Sequence, residues 1–584
     1  MITRPQERPH RHPITAYDFE WRQVEEEPSA RFPLGRKQLF ITLCGAFDER
    51  GYRSYATIEA FLAGELIEAN CGRRFYAHYG GASDMVFLLR AMVDVRSLSI
   101  RGLFSGSSAI VVQVEDGQKR WTFLDSFWTM RTSLAKIGKS VGLEKGKVDH
   151  DKEISEAELR EYNEQDCRIL YEALVAFQRV VNDEGGELRV TAASTSLDLF
   201  LRRYLTRPIK NSPHLSEIAR PAYIASRVEP FWNKCERAEL WDINSSFPYS
   251  FTGAIPGDLT RSSAGRLPSS GLWLADVEVS VRDEYPALPY RHNGRVFFPN
   301  GTFRTRITSE DFACGRFDVL SVGDVWEFDG RDCMRGFAET YYAKRAKGGF
   351  ESEVYKIFLN SLYGKFAERD EKTVLHVRPK KREPHWDSLG AHIYLDRHAV
   401  SPAEHAHVPI SAFITARSRR YLLEWIRLAA NLGRVYYCDT DSVLCDALPA
   451  AIRSEGLGGL KLEAKVVSGV FQGPKLYAYE REAEEIDKRM TIKAKGFSRV
   501  VSSGKTERRA LTYEDFLSLQ SGESATIERM RRIRELLAEQ HRRGEGYIPD
   551  AVRQLKRLRA PTPKRAQLPD GGSRPWNVDE LDAL

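Results

Sequence analysis

Along the first 185 residues the repeat of apolar side chains switches between two periods. Residues 38–44 and 121–125 are short apolar or alternating runs of strand length, whereas residues 85–92 and 156–180 place apolar side chains every three to four positions. Strands mixed with helices predict an α/β unit over residues 1–185. Residues 186–235 read as a connection, with Asn211-Ser212-Pro213 as a turn signal. Beyond it the pattern changes. Residues 334–347 and 351–362 are helical in period on either side of Gly348-Gly349, which predicts an antiparallel helix pair closed by a glycine turn. Apolar residues 435–437 and 443–444 flank a polar turn, the pattern of a β-hairpin. Between pair and hairpin, residues 370–407 are polar and turn-rich and read as an insertion. The chain is therefore expected to be multidomain, α/β at its N-terminus and α+β beyond.

Composition narrows the class. A chain of 584 residues has room for about three or four domain-sized units. With 42% hydrophobic and 29% charged residues it has an ordinary globular balance, and a net charge of +6 is small for its size. The charge is unevenly spread: Arg529, Arg531, Arg532, Arg534, Arg542, Arg543, Arg553, Lys556, Arg557, Arg559, Lys564 and Arg565 crowd the last segment. Residues 569–584 read as a loose tail. Eight cysteines stand singly with no CxxC spacing, so reduced thiols and a cytoplasmic protein are expected. No apolar run reaches the roughly 18 residues a membrane span needs. Residues 1–16 are polar and basic, without the apolar core of a signal peptide.

Three strings carry the candidate chemistry: Asp242-Ile243-Asn244-Ser245-Ser246-Phe247-Pro248, then Lys356-Ile357-Phe358-Leu359-Asn360-Ser361-Leu362-Tyr363-Gly364, then Tyr437-Cys438-Asp439-Thr440-Asp441-Ser442. Asp242 ends a short strand-like run, where its carboxylate and the carbonyl of Ile243 can face one metal. Asp439 and Asp441 sit at the tip of the predicted hairpin. Alone, an Asp-x-Asp is more often a capped turn. Joined with Asp242, these acids form a negative cluster that calls for cations. Mg²⁺ is expected, two ions per site, with Mn²⁺ as an alternative, to activate a 3′-hydroxyl and stabilise a leaving pyrophosphate. Lys356, Asn360 and Tyr363 recur at i, i+4, i+7 and share one helical face, where a lysine can meet a triphosphate and a tyrosine a base pair. Lys344, on the preceding helix, adds a second candidate phosphate contact as the pair closes.

The strings resemble motifs A, B and C of the family B DNA polymerases, and their order and the polar insertion look most like the protein-primed subgroup of bacteriophages and linear plasmids. That resemblance implies a right-hand polymerase domain: palm with insertion (236–333), fingers (334–369), a second subgroup-specific insertion (370–407), palm again (408–480), then thumb and basic tail (481–584). It implies that Phe247, where the family usually has Tyr, stacks under the incoming sugar. Lys475 and Tyr477 resemble a primer-contacting Lys-x-Tyr motif. Tyr223, in Tyr223-Ile224-Ala225-Ser226, resembles a template-binding link from which Ser226 departs, and Lys493 and Lys495 resemble a segment approaching DNA. Template and primer DNA and dNTPs follow as partners, a terminal protein as a candidate partner, with a monomer and no membrane expected.

A second set of acids lies upstream. Asp18 and Glu20 alternate on one strand face, Asp84 opens an apolar helix, and Tyr162 and Asp166 are spaced i, i+4. Four acids and a tyrosine from three separated elements suit two-metal hydrolysis. They resemble the motifs of a ribonuclease H-like 3′–5′ exonuclease domain, with Lys145 as an assisting lysine and Ser126-Phe127 as contacts to the frayed strand. Trp21, Tyr79 and Ser83 depart from the residues usual around these acids. The expected activity is DNA-directed DNA synthesis with proofreading, with protein-primed replication of a phage or linear plasmid genome in a bacterial or phage-infected cell. Two rivals stand: a relative that uses nucleic-acid primers or none, and a non-catalytic DNA-binding protein of the same fold. Against the latter, clustered acids repel DNA and are costly to keep without a metal.

Overall fold

The structure, a computed structural model, describes residues 1–26, 36–106, 108–146, 154–369, 371–390, 392–400, 403–485, 489–494, 500–503, 507–523, 525–530, 551–558 and 561–584. The N-terminal unit is built on the strand Ile14–Glu26. It pairs antiparallel with Arg36–Asp48 and parallel with Arg74–Ala77, which in turn runs parallel to Lys119–Asp125. Adjacent residues on these central strands are buried on opposite faces. Ala16, Tyr76 and Leu124 pack with the long helix Glu156–Asp183, while Tyr17, Phe75 and Phe123 pack with the helix Asp84–Asp94. A sheet covered on both faces must be apolar at successive positions, which is why these strands read as continuous runs. Polar residues on them are therefore exceptional, and Asp18 and Glu20 are two of them.

The second sheet holds the three strings. Its strands lie in the order Met490–Ala494, Leu476–Arg481, Leu460–Gly473, Lys234–Ile243, Ser442–Cys445, Val435–Asp439 and Val228–Pro230, antiparallel throughout. The helix Val408–Leu432 covers it, burying Leu422, Leu423, Ile426 and Ala429 against Trp241, Ile243, Val435 and Val443. Residues between the first two strings form a separate four-stranded antiparallel sheet, Ile255–Ala264, Phe317–Arg331, Leu272–Val281 and Gly301–Thr308 in spatial order.

The expected helix pair is Cys333–Arg345 and Gly349–Lys365, with Gly348 and Gly349 at φ 75° and 77°. Such positive values are open to glycine without steric cost. Phe337, Tyr341, Phe358 and Leu362 of the pair share one core with Phe177 and Phe200 of the N-terminal half. The insertion is ordered as a β-unit: Glu371–Val377 pairs with Ile393–Val400, which pairs with Asp387–Gly390. Glu371–Val377 also joins the edge strand Ser99–Ser105, so the insertion extends the N-terminal sheet.

Two features correct the sequence reading. The last residues are not a loose tail. Gly572 bridges Trp232, the Asn233 N–H donates to the Gly571 carbonyl, the Asn300 N–H donates to the Trp576 carbonyl and the Val578 N–H donates to the Asn300 carbonyl. Arg565, counted above among the basic residues of the thumb, is 1% exposed beside Glu229 and the Phe231 ring. Its planar, weakly hydrated guanidinium suits a buried site that a sequence count takes for a surface. Of the other basic residues named above, Arg531, Arg532, Arg534, Arg542, Arg543, Arg559 and Lys495 lie outside the described residues.

Candidate active sites

Strand register brings the first and third strings together. Ser442 stands opposite Asp242, and the Ile243 N–H donates to the Asp441 carbonyl at 2.7 Å. Asp441 in turn donates its N–H to the Asp439 carbonyl at 2.7 Å, while Thr440 takes φ 67° and donates its N–H to the Arg227 carbonyl at 2.9 Å. Burial, then the neighbouring Asp242 and Asp439 carboxylates, push the Asp441 carboxyl up to about 7. Such a cluster fits hard divalent cations, with Asp242, Asp441 and the Ile243 carbonyl as the donor set and Asp439 beside them. Among the described residues no three ligand side chains already converge on one point. Two lysines sit on the acids: Lys475 Nζ is 2.8 Å from Asp439 Oδ1, and Lys461 Nζ is 3.3 Å from Asp242 Oδ1.

A cavity of about 340 Å³ opens beside the hairpin, lined among others by Asp439, Asp441, Lys475, Tyr477 and Lys493. On the helix pair, Lys356 and Asn360 are exposed on one face and Lys356 pairs only loosely with Glu353, at 3.8 Å. Tyr363 stacks on Phe247, with ring centroids 4.4 Å apart and planes 16° from parallel. Burial, then the nearby Tyr223 and Asp441, push the Tyr363 phenol up.

Lys344, the second candidate phosphate contact, is paired within the protein in this structure. Its ammonium is engaged by Glu184, which also takes Arg203 and the Tyr341 and Tyr355 hydroxyls. A buried carboxylate at a helix end binds the nearest cations strongly, and this pairing could not be foreseen across 160 residues of sequence.

Comparison with known proteins agrees with this arrangement. The family model described as "DNA polymerase type B, organellar and viral" matches residues 145–397. The DNA-directed DNA polymerase of Enterobacteria phage PRD1 is 25% identical over 442 residues, covering 69% of this chain and 72% of its own. A probable DNA polymerase of Podospora anserina is 24% identical over 364 residues, 53% of this chain and 30% of its own. In fold, phi29 DNA polymerase in its complex with primer-template DNA and incoming nucleotides superposes with a TM-score of 0.71 at 17% identity, over 94% of this chain and 100% of that one. The chain is similar to the type B DNA polymerases in sequence over residues 145–397 and in fold over most of its length. It is a DNA-directed DNA polymerase, and such enzymes work with a divalent metal, DNA and nucleotides.

The polymerase carries its second acid cluster in the N-terminal sheet. Asp18 and Glu20 face the helix Glu156–Asp183, whose Asn163 amide donates to Asp18 Oδ2 at 3.2 Å and Glu20 Oε1 at 3.4 Å. Asp84 accepts the Phe19 N–H at 3.0 Å and the Ser83 hydroxyl at 2.6 Å. Lys145 pairs with Asp166 and donates to the Tyr162 hydroxyl at 2.9 Å. Burial pushes Asp84 up to about 6, and burial with the Asp84, Glu20 and Asp166 charges raises Asp18 well above the usual carboxylate range. All five predicted residues and Lys145 thus meet.

Asn163 was missed. Its signal was a polar residue on the buried face of an amphipathic helix, three positions before Asp166, and Gly45 is the space it needs: a Cβ there would lie 1.7 Å from Asn163 Oδ1. Ser126 is fully buried, donates to the Ala77 carbonyl and bonds His78. Its neighbour Phe127 instead stacks on the half-exposed ring of Tyr79, with centroids 4.1 Å apart.

Proposed function

We propose that the enzyme extends DNA by two-metal nucleotidyl transfer and removes misincorporated nucleotides at a separate 3′–5′ hydrolytic site. In synthesis the primer 3′-oxygen forms a bond to the α-phosphorus of a dNTP as the bond to the pyrophosphate oxygen breaks. Mg²⁺, with Mn²⁺ able to replace it, would supply activation of the hydroxyl and stabilisation of the leaving group. Asp242, Asp441 and the Ile243 carbonyl would hold it, with Asp439 in support. Lys356 and Asn360 present an open polar face to the triphosphate. Phe247 lies under the sugar and excludes a 2′-hydroxyl, and Tyr363 forms the floor of the nascent base pair. Lys475, Tyr477 and Lys493 line the cavity that receives the primer terminus, and Tyr223 faces the template. The observation that carries the reading is the register placing Asp242 against the Asp439–Asp441 hairpin.

Proofreading rests on the second cluster, where Asp18, Glu20, Asp84 and Asp166 would bind the hydrolytic metals and Lys145 with Tyr162 would orient the attacked phosphate. Protein priming, from a terminal protein's hydroxyl, rests on the likeness to the phage enzymes. The four-stranded sheet between motifs A and B and the insertion that extends the nuclease sheet are the elements available to a terminal protein and to the displaced strand. We take the enzyme to act as a monomer in the bacterial or phage-infected cytoplasm. The test is extension of a primed template with dNTPs and Mg²⁺, run beside a reaction in which a candidate terminal protein replaces the primer. Absence of metal-dependent extension in both would refute the reading. Extension from the primer alone would favour the nucleic-acid-primed relative.

A further inference from the structure

Lys461 belongs to none of the recognised motifs, yet its position is imposed by the sheet. In the antiparallel pairing of Leu460–Gly473 with Lys234–Ile243 it stands directly opposite Asp242, so the two side chains leave the same face. The register is held on both sides. Leu460, opposite Ile243, and Trp241, opposite Leu462, are each about 2% exposed or less. The preceding loop is tied down as well: the Gly458 N–H donates to the Asn244 carbonyl at 2.8 Å, and the Asn244 N–H donates to the Gly459 carbonyl at 2.8 Å. The ammonium lies 3.3 Å from Asp242 Oδ1, and the side chain keeps 44% of its exposure. Lys461 does not line the cavity beside the hairpin, whereas Lys475 does. The two cations therefore reach the acids from different sides.

We propose that Lys461 is a tethered counter-cation of Asp242, a positioning residue that holds the carboxylate in the nucleotide-free enzyme and competes there with the divalent ion. This rests on the assignment of Asp242 as a metal ligand. Three carboxylates with two ammonium groups leave a net charge of one negative at most. A divalent ion arriving alone meets a fixed positive charge within a few ångströms, in a half-buried site where that repulsion is poorly screened. A nucleotide brings its own negative charge and offers the ammonium another partner. Lys461 thus weakens binding of the metal alone more than binding of the metal with nucleotide, and favours their joint entry.

The experiment uses the full chain carrying Asp18→Ala and Asp166→Ala, so that the nuclease site contributes no metal binding, with Mn²⁺ followed by electron paramagnetic resonance. Adding Lys461→Met should tighten Mn²⁺ binding without nucleotide by roughly tenfold, and change it by less than about threefold with a non-hydrolysable dNTP present. Lys461→Arg, which keeps the charge, should bind Mn²⁺ as the parent does. Equal Mn²⁺ affinity in the parent and the Met variant, while Asp242→Asn loses Mn²⁺, would overturn the role of Lys461 alone. Mn²⁺ binding that survives Asp242→Asn would overturn the metal assignment beneath it. Because the lysine is half exposed, the Met variant should melt with the parent. Tightening in both Met and Arg variants would mean loss of packing rather than of charge, and would also count against the proposal.

Discussion

The acids beside the hairpin and those of the N-terminal unit meet the same electrostatic problem with different neighbours. At the hairpin the Asp242 and Asp439 side chains keep 22% and 15% of their exposure, and each carries a lysine. In the N-terminal sheet the Asp166 side chain keeps 6%, Asp84 and Glu20 are buried, and hydrogen bonds from Asn163, Ser83 and the Phe19 N–H hold the group, with Lys145 at its rim. Burial raises the Asp18 and Asp84 carboxyl groups there, as it raises Asp441 beside the hairpin lysines. A site open to a large substrate can keep flexible ammonium groups near its acids and exchange them on loading. A site sealed under a helix must build its polar contacts into the core, where each has to be satisfied.

The strongest way to break this comparison is to disable one cluster at a time. Asp242→Asn should lower nucleotide incorporation by at least about a thousandfold and leave degradation of single-stranded 3′ ends within about twofold of the parent. Asp18→Ala with Asp166→Ala should do the reverse, as read on labelled primers. If either variant loses both activities while remaining folded, the clusters are not independent. Phe247→Val should keep incorporation but raise the ribonucleotide-to-deoxyribonucleotide ratio by about tenfold or more, measured from kcat/KM for each. An unchanged ratio would return Phe247, stacked on Tyr363, to a packing role.

The insertion joins the two regions, so its removal sharpens the contrast between chemistry and strand handling. Arg378, at φ 48°, donates to the carbonyls of Leu98 and Val93 at 2.8 Å and of Met92 at 3.1 Å, closing the end of the helix that begins at Asp84. Deleting residues 378–397 should leave single-nucleotide gap filling nearly intact, while shortening products on duplex templates several-fold more than on single-stranded ones. Equal product lengths on both templates would make the insertion a structural brace only.

The smallest effect concerns acid stability. Burial lowers His78, beside the nuclease cluster, and His407, which bonds the Gly257 carbonyl in the polymerase half, from 6.5 to about 4. Between those values the unfolded chain binds more protons than the folded one, so stability is retained above 6.5 and lost as the pH falls toward 4. His407→Gln should flatten that loss by about 3 kcal/mol at most, measured from urea midpoints between pH 7 and 4.5. A slope identical to the parent's would show that His407 binds protons equally in the folded and unfolded chain, so that burial does not lower it.

Much of this was legible in the chain. Asp242, Asp439 and Asp441 interrupt apolar runs at strand ends, and Asp18, Glu20, Asp84 and Asp166 interrupt buried strand and helix faces, where an unexplained polar residue stands out. The glycine turn between the two helices was equally plain, because two glycines between amphipathic segments have few other uses. Lys461 was not legible, since its partner is set by the register of strands some 220 residues apart. Nor was the pairing of Lys344 with Glu184, whose positions lie 160 residues apart. The burial of Ser126 was not legible either, because a hydroxyl beside an aromatic carries no mark of which way it points.

Local pattern, then, determined which segments are helix, strand or turn and which acids interrupt them, because apolar period and turn residues act over a few neighbours. The tertiary structure alone decided what each charge meets. It put lysines on Asp242 and Asp439, Asn163 between Asp18 and Glu20, and Arg565 with the C-terminal residues against the seven-stranded sheet. Ion pairs and hydrogen bonds act over about 3 Å, and only the pairing of distant strands and helices brings such groups within that reach.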